Sequence, residues 1–230
     1  APVLKKFNLP ATLFAVTDFL EGKIWIWTDK MRYLTANTNI TEINISLNQQ
    51  EIKGKLSGAD SRFILAQRLN SQLKKLSDAE KEREIIRLAD EFEVEIPQNP
   101  PNEFSPMTWD EARELDNGLI KIESHTVTHP ILPNVDEEQL KFELTESKVK
   151  LEKEIGREMK IFCYPDGGWN ENVKKATESA NYECAVTVEL GFNDEADDLF
   201  LLKRISAEPS LPHFVQATSG VENFKKIFRS

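Results

Sequence analysis

The sequence predicts an α/β protein organised on a parallel sheet, in open or barrel form. Three observations predict it. From Thr108 onward, strand-like and helix-like stretches alternate at short spacing, the mark of β-α-β units. The run Pro10-Ala11-Thr12-Leu13-Phe14-Ala15-Val16 is almost continuously apolar, the pattern of a strand buried on both faces. The residues with chemical potential, His125, His129, Asp166 and Arg204, each follow or end a strand-like run, and in a parallel barrel those ends share one face. At 230 residues the chain suits one large α/β domain or two small ones. It reads as a single domain over 1–230 with a mostly helical insertion at about 20–105.

The elements follow in order. Pro2 to Asn8 reads as the last turns of an amphipathic helix, with Asn8 as its stop. Strand 10–16 comes next. Ile24-Trp25-Ile26-Trp27 leads into a helix over Asp29 to Leu34, and Ile43, Ile45, Leu47 and Ile52 alternate as in a small hairpin. Asp60 to Leu76 reads as a helix. Ser77-Asp78-Ala79-Glu80 is a capping box for a second one, whose face continues through Ile85, Leu88 and Phe92. Pro97, Pro100 and Pro101 close the insertion, which has too few apolar residues for a core of its own. Thr108-Trp109-Asp110-Glu111 is another capping box, with Gly118 closing its helix. Strand 119–124 follows. Asp136 caps a long helix ended by Gly156, with Leu140, Leu144, Leu151 and Ile155 as its stripe. Strand 159–164 is broken by Pro165-Asp166-Gly167-Gly168. Asn170 caps the next helix, 183–188 and 200–205 are strands, and Ser210 caps a last helix from Leu211 with Pro212 in its first turn.

Composition narrows the function classes. The formal net charge of −10 argues against nucleic acid as a partner, because phosphate binding needs clustered Lys and Arg. No apolar run reaches the roughly 18 residues a membrane span needs, and the first residues carry no basic-then-apolar leader, so a cytoplasmic location is expected. Cys163 and Cys184 are not spaced as a metal pair and read as small buried hydrophobes. The oligomeric state has no signature in the sequence.

The chemistry centres on Glu123-Ser124-His125-Thr126-Val127-Thr128-His129-Pro130. Two imidazoles at i and i+4 can point the same way and share one cation, and neutral imidazole is a common ligand for zinc and other first-row metals. In an arbitrary sequence such a pair is more often two unrelated histidines. Here the preceding strand and the small hydroxyl residues around the pair favour a site. The Pro165-Asp166-Gly167-Gly168 turn can present backbone N–H groups to a developing oxyanion, although such a stretch is most often only a turn. Arg204, taken alone, is a structural ion-pair donor.

Together these segments resemble the NodB-type polysaccharide deacetylases, carbohydrate esterase family four. Ser124-His125-Thr126-Val127-Thr128-His129-Pro130 matches the family's histidine motif. Phe162 to Gly168 is similar to its proline-glycine motif, and Leu202-Lys203-Arg204-Ile205 to the arginine motif of a bacterial branch. The segment Pro2 to Phe14 looks like the family's first helix and second strand, Trp25 to Asp29 like the start of that branch's insertion, and Pro106 to Glu111 like the approach to the metal strand.

The resemblance implies an irregular (β/α)7-type barrel of about seven strands, whose first strand is missing from this chain. It implies a divalent metal, commonly zinc, held by His125, His129 and an aspartate, a second aspartate as base, and a carbohydrate substrate losing N-acetyl groups as acetate. It places Asp166 and Arg204 in catalysis, the first through its backbone N–H, and Pro165, Gly167 and Trp169 at the substrate. Trp25 and Trp27 are further candidates for stacking on sugars.

The match departs at the family's Thr-Phe-Asp-Asp segment, which precedes the helix with which this chain begins. Asp197-Asp198 lies in a late loop, Asp18 stands at a position that is not acidic in the ligand set, and His213 lies at a helix start rather than in the family's general-acid position. Three explanations stand: a sequence that continues upstream, a degenerate relative, or an acquired role for Asp166. The competing functions are a catalytically inactive glycan-binding relative and a metal hydrolase of small amides.

Overall fold

The computed structural model describes residues 2–116, 118–207 and 210–220. Helix α1 (Pro2–Phe7) stops at Asn8, whose φ of 51° is left-handed. Strand β1 (Ala11–Ala15) and the short helix α2 (Thr17–Leu20) follow. The insertion holds α3 (Trp27–Asn37), the antiparallel hairpin β2 (Glu42–Leu47) and β3 (Gln50–Lys55), α4 (Ala59–Leu73) and α5 (Asp78–Glu91). Asn48 and Gln49 join the hairpin, both at positive φ (50° and 61°), as a two-residue turn matched to strand twist requires. The remainder alternates: α6 (Trp109–Leu115), β4 (Ile120–Ser124), α7 (Glu137–Ile155), β5 (Ile161–Cys163), α8 (Glu171–Ser179), β6 (Cys184–Leu190), β7 (Leu202–Arg204) and α9 (Leu211–Thr218).

Five strands form one sheet in the order β1-β4-β5-β6-β7, every neighbouring pair parallel. The α/β class with a parallel sheet expected from the sequence therefore holds, with the His125, Pro165 and Arg204 segments at C-terminal strand ends. Ile122, Phe162 and Ala185 from the strands meet Leu140, Leu144 and Leu151 of α7 and Val173 of α8 in the sheet's core.

The predicted caps form. Ser77 Oγ accepts from Glu80 N (3.4 Å) while Glu80 Oε2 accepts from Ser77 N (3.0 Å). Thr108 and Glu111 repeat the arrangement, and Asp136 and Asn170 accept from Gln139 N and Val173 N. Gly156 ends α7 at φ 82°.

Four expectations need correction. The insertion does have a hydrophobic core of its own: fifteen buried residues between Trp27 and Phe92, with Met31, Leu34, Leu69, Leu73, Ile85 and Leu88 fully enclosed. A count of apolar residues missed it because three helices and a hairpin converge on one point. Strand β1 is not buried on both faces; it is an edge of this sheet, and Thr12 is exposed. Ser210 precedes α9 but its side chain makes no capping bond. Cys184 is only half-buried, whereas Cys163 is enclosed.

Candidate active site

The histidine segment is a loop, not a helical turn. His125 leaves β4 with its N–H on Ala15 O (3.0 Å), and the chain then visits left-handed backbone twice, at Thr126 (φ 74°) and His129 (φ 63°). For a β-branched residue such a φ costs energy and persists only where neighbours impose it. The neighbours are identifiable. Thr126 O accepts from Thr17 N (3.2 Å), Val127 O accepts from Asp18 N (3.0 Å), and Thr126 Oγ1 accepts from His129 N (2.9 Å). Glu143, buried on α7, accepts from Val127 N (2.7 Å), Thr128 N (2.9 Å) and Thr128 Oγ1 (2.5 Å).

This loop brings the two imidazole rings to 4.8 Å between centroids at 75°. His125 Nδ1 lies 2.6 Å from Cys163 O. A carbonyl only accepts, so Nδ1 carries the proton and Nε2 keeps its lone pair free for a ligand. His129 Nδ1 is buried with no partner among the described residues. Burial, then the neighbouring His129, pushes His125 down to about 4. Burial also lowers His129, with Asp166 opposing. Both rings are therefore neutral at pH 7, the state in which imidazole binds a metal.

A pH prediction follows from His125. Its folded value lies below the unfolded 6.5, so the unfolded chain binds the proton more readily and stability falls as pH drops from 6.5 towards 4, by at most about 3 kcal/mol. Glu143 tilts the opposite way, because burial raises its carboxyl and ionising it above 4.5 costs the fold. The difference between wild type and His125→Asn in melts at pH 7 and pH 4.5 isolates the histidine. The wild type is expected to lose more on acidification, and equal losses would contradict the assignment.

Beside the rings sits the turn Pro165-Asp166-Gly167-Gly168. Asp166 is left-handed (φ 53°), and so is Gly167 (φ 69°), where an added Cβ would lie 2.4 Å from Val188 Cγ2. Only glycine lets this turn press against β6. The expectation that the turn offers several backbone donors is corrected: Gly167 N bonds Tyr164 O and Gly168 N bonds Pro165 O, both at 2.9 Å, which leaves the Asp166 N–H outside these bonds. Asp166 Oδ1 pairs with Lys74 Nζ at 2.6 Å, while Oδ2 is buried without a partner among the described residues. Lys74 caps the end of α4, and its carbonyl accepts from Asn134 Nδ2 (3.5 Å), so the insertion is tied to the site face twice. The pair is part-exposed and a coupling of about 0.5–1 kcal/mol is expected. Denaturant melts of Lys74→Met, Asp166→Asn and the double variant measure it, and strict additivity would show that the contact contributes nothing.

The structure thus brings His125 and His129 together, and the charge of Asp166 is felt by both rings. Arg204 stands close enough for its charge to lower His125 further, but its Nε donates to Thr187 O (2.5 Å). The resemblance implies that Arg204 orients the catalytic carboxylate or a substrate group, and no carboxylate is among its described bonds. Pro165 is buried and Trp169 packs half-buried on the sheet's core. Trp25 and Trp27 are each 8% exposed and so are not open stacking faces. Asp18 pairs with Lys23 (3.3 Å), Asp197 with Lys203 (2.7 Å), Asp198 with Lys174 (2.6 Å), and His213 is exposed on α9. Among the described residues no three of His, Cys, Asp and Glu group as a metal site. The two imidazoles suit a divalent metal; the ligand set is otherwise incomplete. Sequence reasoning missed Glu143 and Lys74, whose importance lies in contacts 15 and 92 positions away.

The chain is similar to several known proteins. YxkH of Bacillus subtilis (strain 168), which carries the name of a polysaccharide deacetylase, is 30% identical over 105 residues, 46% of this chain and 38% of YxkH. Among solved structures, the Streptococcus pyogenes deacetylase PplD, in complex with acetate, aligns over 57% of this chain and 62% of its own at 22% identity and a TM-score of 0.47. The BpsB deacetylase domain from Bordetella bronchiseptica aligns over 88% of this chain and 63% of its own at 16% identity and a TM-score of 0.48. The chain therefore spans under two thirds of each of these relatives. The polysaccharide deacetylase model matches residues 63–185, more than half of the chain and inclusive of both histidines and the proline-glycine turn, and the chain belongs to the polysaccharide deacetylase family.

Proposed function

We propose that this chain is a metal-dependent hydrolase that removes N-acetyl groups from an amino-sugar polysaccharide or glycan, with zinc the foremost metal. One observation carries the reading: His125 is fixed by Cys163 O with its Nε2 free, beside the neutral ring of His129. That is how a ligating histidine is held by its outer neighbours. His125 and His129 would hold the ion, and a metal bound there supplies Lewis acidity towards an amide carbonyl.

The chain's own residues do the rest. Glu143 keeps the histidine loop in its left-handed shape. Asp166, whose charge both rings feel, would offer its unpartnered carboxylate oxygen and its backbone N–H to substrate, with Lys74 fixing the other oxygen. Pro165 and Gly167 seat that turn against β6, and Trp169 flanks it. Arg204 adds a positive charge on the His125 side, suited to an acetyl or carboxylate oxygen. A third ligand, a base and a general acid are not among these residues, which favours as second reading an inactive glycan-binding relative. No described helix is long and apolar enough to cross a membrane.

Metal content of the purified chain, beside His125→Ala/His129→Ala, tests the reading together with acetate release from N-acetylated polymers and from small amides. About one metal per chain, as one shared ion requires, lost in the double variant, with acetate released from the polymers, is the expected result. No metal after zinc addition and no acetate would overturn it and leave the glycan-binding reading in place. Hydrolysis of small amides alone would replace the substrate class.

A further inference from the structure

A cavity of about 450 Å³ opens on the insertion, between α3, the start of α4 and the turn at Asn102–Phe104. Its lining contains neither histidine and no residue of the Pro165 turn. Its size is that of a small-molecule site. Small residues (Ala36, Gly58, Ala59, Ala66) and two rings (Phe63, Phe104) make up most of the lining. Phe104 packs on Trp25 and Tyr33, with ring centroids 5.7 and 6.2 Å away. Phe63 is 51% exposed and has no ring partner among the described residues. The cavity thus offers a ligand an open apolar surface.

The charged groups of the lining narrow the ligand's class. Arg62 is half-buried, and its NH1 donates to Thr35 O and Thr38 O at 2.8 Å each. Those bonds tie α4 to the end of α3. They leave Nε and NH2 with no partner among the described residues. These two nitrogens form the edge of a guanidinium that takes both oxygens of a carboxylate in parallel hydrogen bonds. Arg87, Arg113 and Arg157 each pair with two carboxylates of the chain, whereas Arg62 pairs with none among the described residues. Withdrawing a cation from water without a counter-ion is costly. Beside an apolar cavity, the group that completes Arg62 is an anion carried on an apolar body. Arg32 adds a second positive charge: it pairs with Asp29 through NH1 (3.2 Å) and lies 5.7 Å from the Phe104 ring centroid. Glu103, the one acid of the lining, is exposed and has no described partner, so it opposes a second negative charge on the ligand.

We propose that this cavity binds a small monocarboxylate with an apolar body, its carboxylate on the Nε–NH2 edge of Arg62 and its body against Phe63 and Phe104. The site stands apart from the hydrolase reading above, since it needs neither metal nor glycan. It gives the insertion, which has a hydrophobic core of its own, a binding role of its own.

Calorimetric titration of the full chain tests it. The probes are hydrocinnamate and octanoate, the neutral amide of each, acetate, and phenylsuccinate, which carries a second carboxylate. One of the first two acids is expected to bind in the millimolar range or better, at least about tenfold more tightly than its own amide and than acetate. Phenylsuccinate is expected to bind no more tightly than hydrocinnamate. Arg62→Gln keeps a donor for the α3 carbonyls and removes the charge, and is expected to bring the acid down to the affinity of its amide. Ala36→Trp, at an exposed position of the lining, fills the cavity without touching the core and is expected to weaken the acid about fivefold or more at unchanged melting temperature. No binding of either acid, equal affinity for an acid and its amide, equal affinity for acetate, tighter binding of phenylsuccinate, or indifference to Ala36→Trp would each overturn the proposal. A folded Arg62→Gln chain that still prefers the acid would do the same.

Discussion

Glu143→Ala is expected to lower the chain's affinity for a divalent metal by about 10–100-fold, the usual cost of losing a group that orients a ligand. It is also expected to lower stability by about 3 kcal/mol or more, since hydrogen bonds to a charged acceptor contribute roughly 1.5–3 kcal/mol each and three donors lose theirs. Those donors are Val127 N, Thr128 N and Thr128 Oγ1, all inside the loop that joins the two histidines. Thr126 and His129 hold positive φ because the loop is tied at both ends, and without Glu143 that backbone relaxes and the 4.8 Å ring separation is lost. Glu143→Gln retains one carbonyl acceptor and is expected to fall between alanine and wild type. Metal retention on dialysis and denaturant melts read the two effects. A Glu143→Ala chain with wild-type metal content and melting would remove Glu143 from any role in shaping the site.

The histidine pair and the proline-glycine turn were legible in the sequence because short motifs carry them, and the helix caps because their chemistry is local: Ser77 with Glu80, Thr108 with Glu111, Asp136 before α7. What holds those motifs was not. Glu143 is one of many acidic residues on a helix, and only its place on the buried stripe with Leu140, Leu144, Ser147 and Leu151 distinguishes it. A charged residue on a stripe that must be buried is a signal that something polar faces it. Lys74 has no comparable signal, since a lysine at a helix end reads as dipole compensation. The insertion's core was missed for a related reason: Leu34, Leu69 and Ile85 are far apart in sequence and meet only through tertiary packing.

Arg157→Met is expected to be the most destabilising of these substitutions, at about 3–5 kcal/mol, because it leaves buried carboxylates without their cation. Arg157 Nε and NH2 grip both oxygens of Asp116 (2.8 and 2.7 Å), NH1 reaches Glu123 Oε1 (2.9 Å), and NH2 also donates to Ile122 O (2.5 Å). The two carboxylate side chains are only 6% and 5% exposed. Replacing a whole buried ion cluster by apolar groups is often neutral, but that escape is closed here. Asp116 Oδ1 accepts from Ile122 N (2.8 Å), and Glu123 Oε2 accepts from Lys160 N and Ile161 N (2.9 Å each). The β4–β5 ladder is short, with Ser124 opposite Phe162 as its one paired position, so the Glu123 side chain does for the start of β5 what backbone carbonyls do elsewhere in the sheet. Arg157→Met/Asp116→Leu/Glu123→Leu should therefore remain as unstable as the single variant or become worse. β5 carries Cys163, whose carbonyl fixes His125, and then the Pro165 turn, so the loss should reach the site. Melts of both variants, with metal retention at a temperature where each is folded, test this. Recovery of stability in the triple variant would show that the cluster is an ordinary buried ion pair and that β5 does not depend on it.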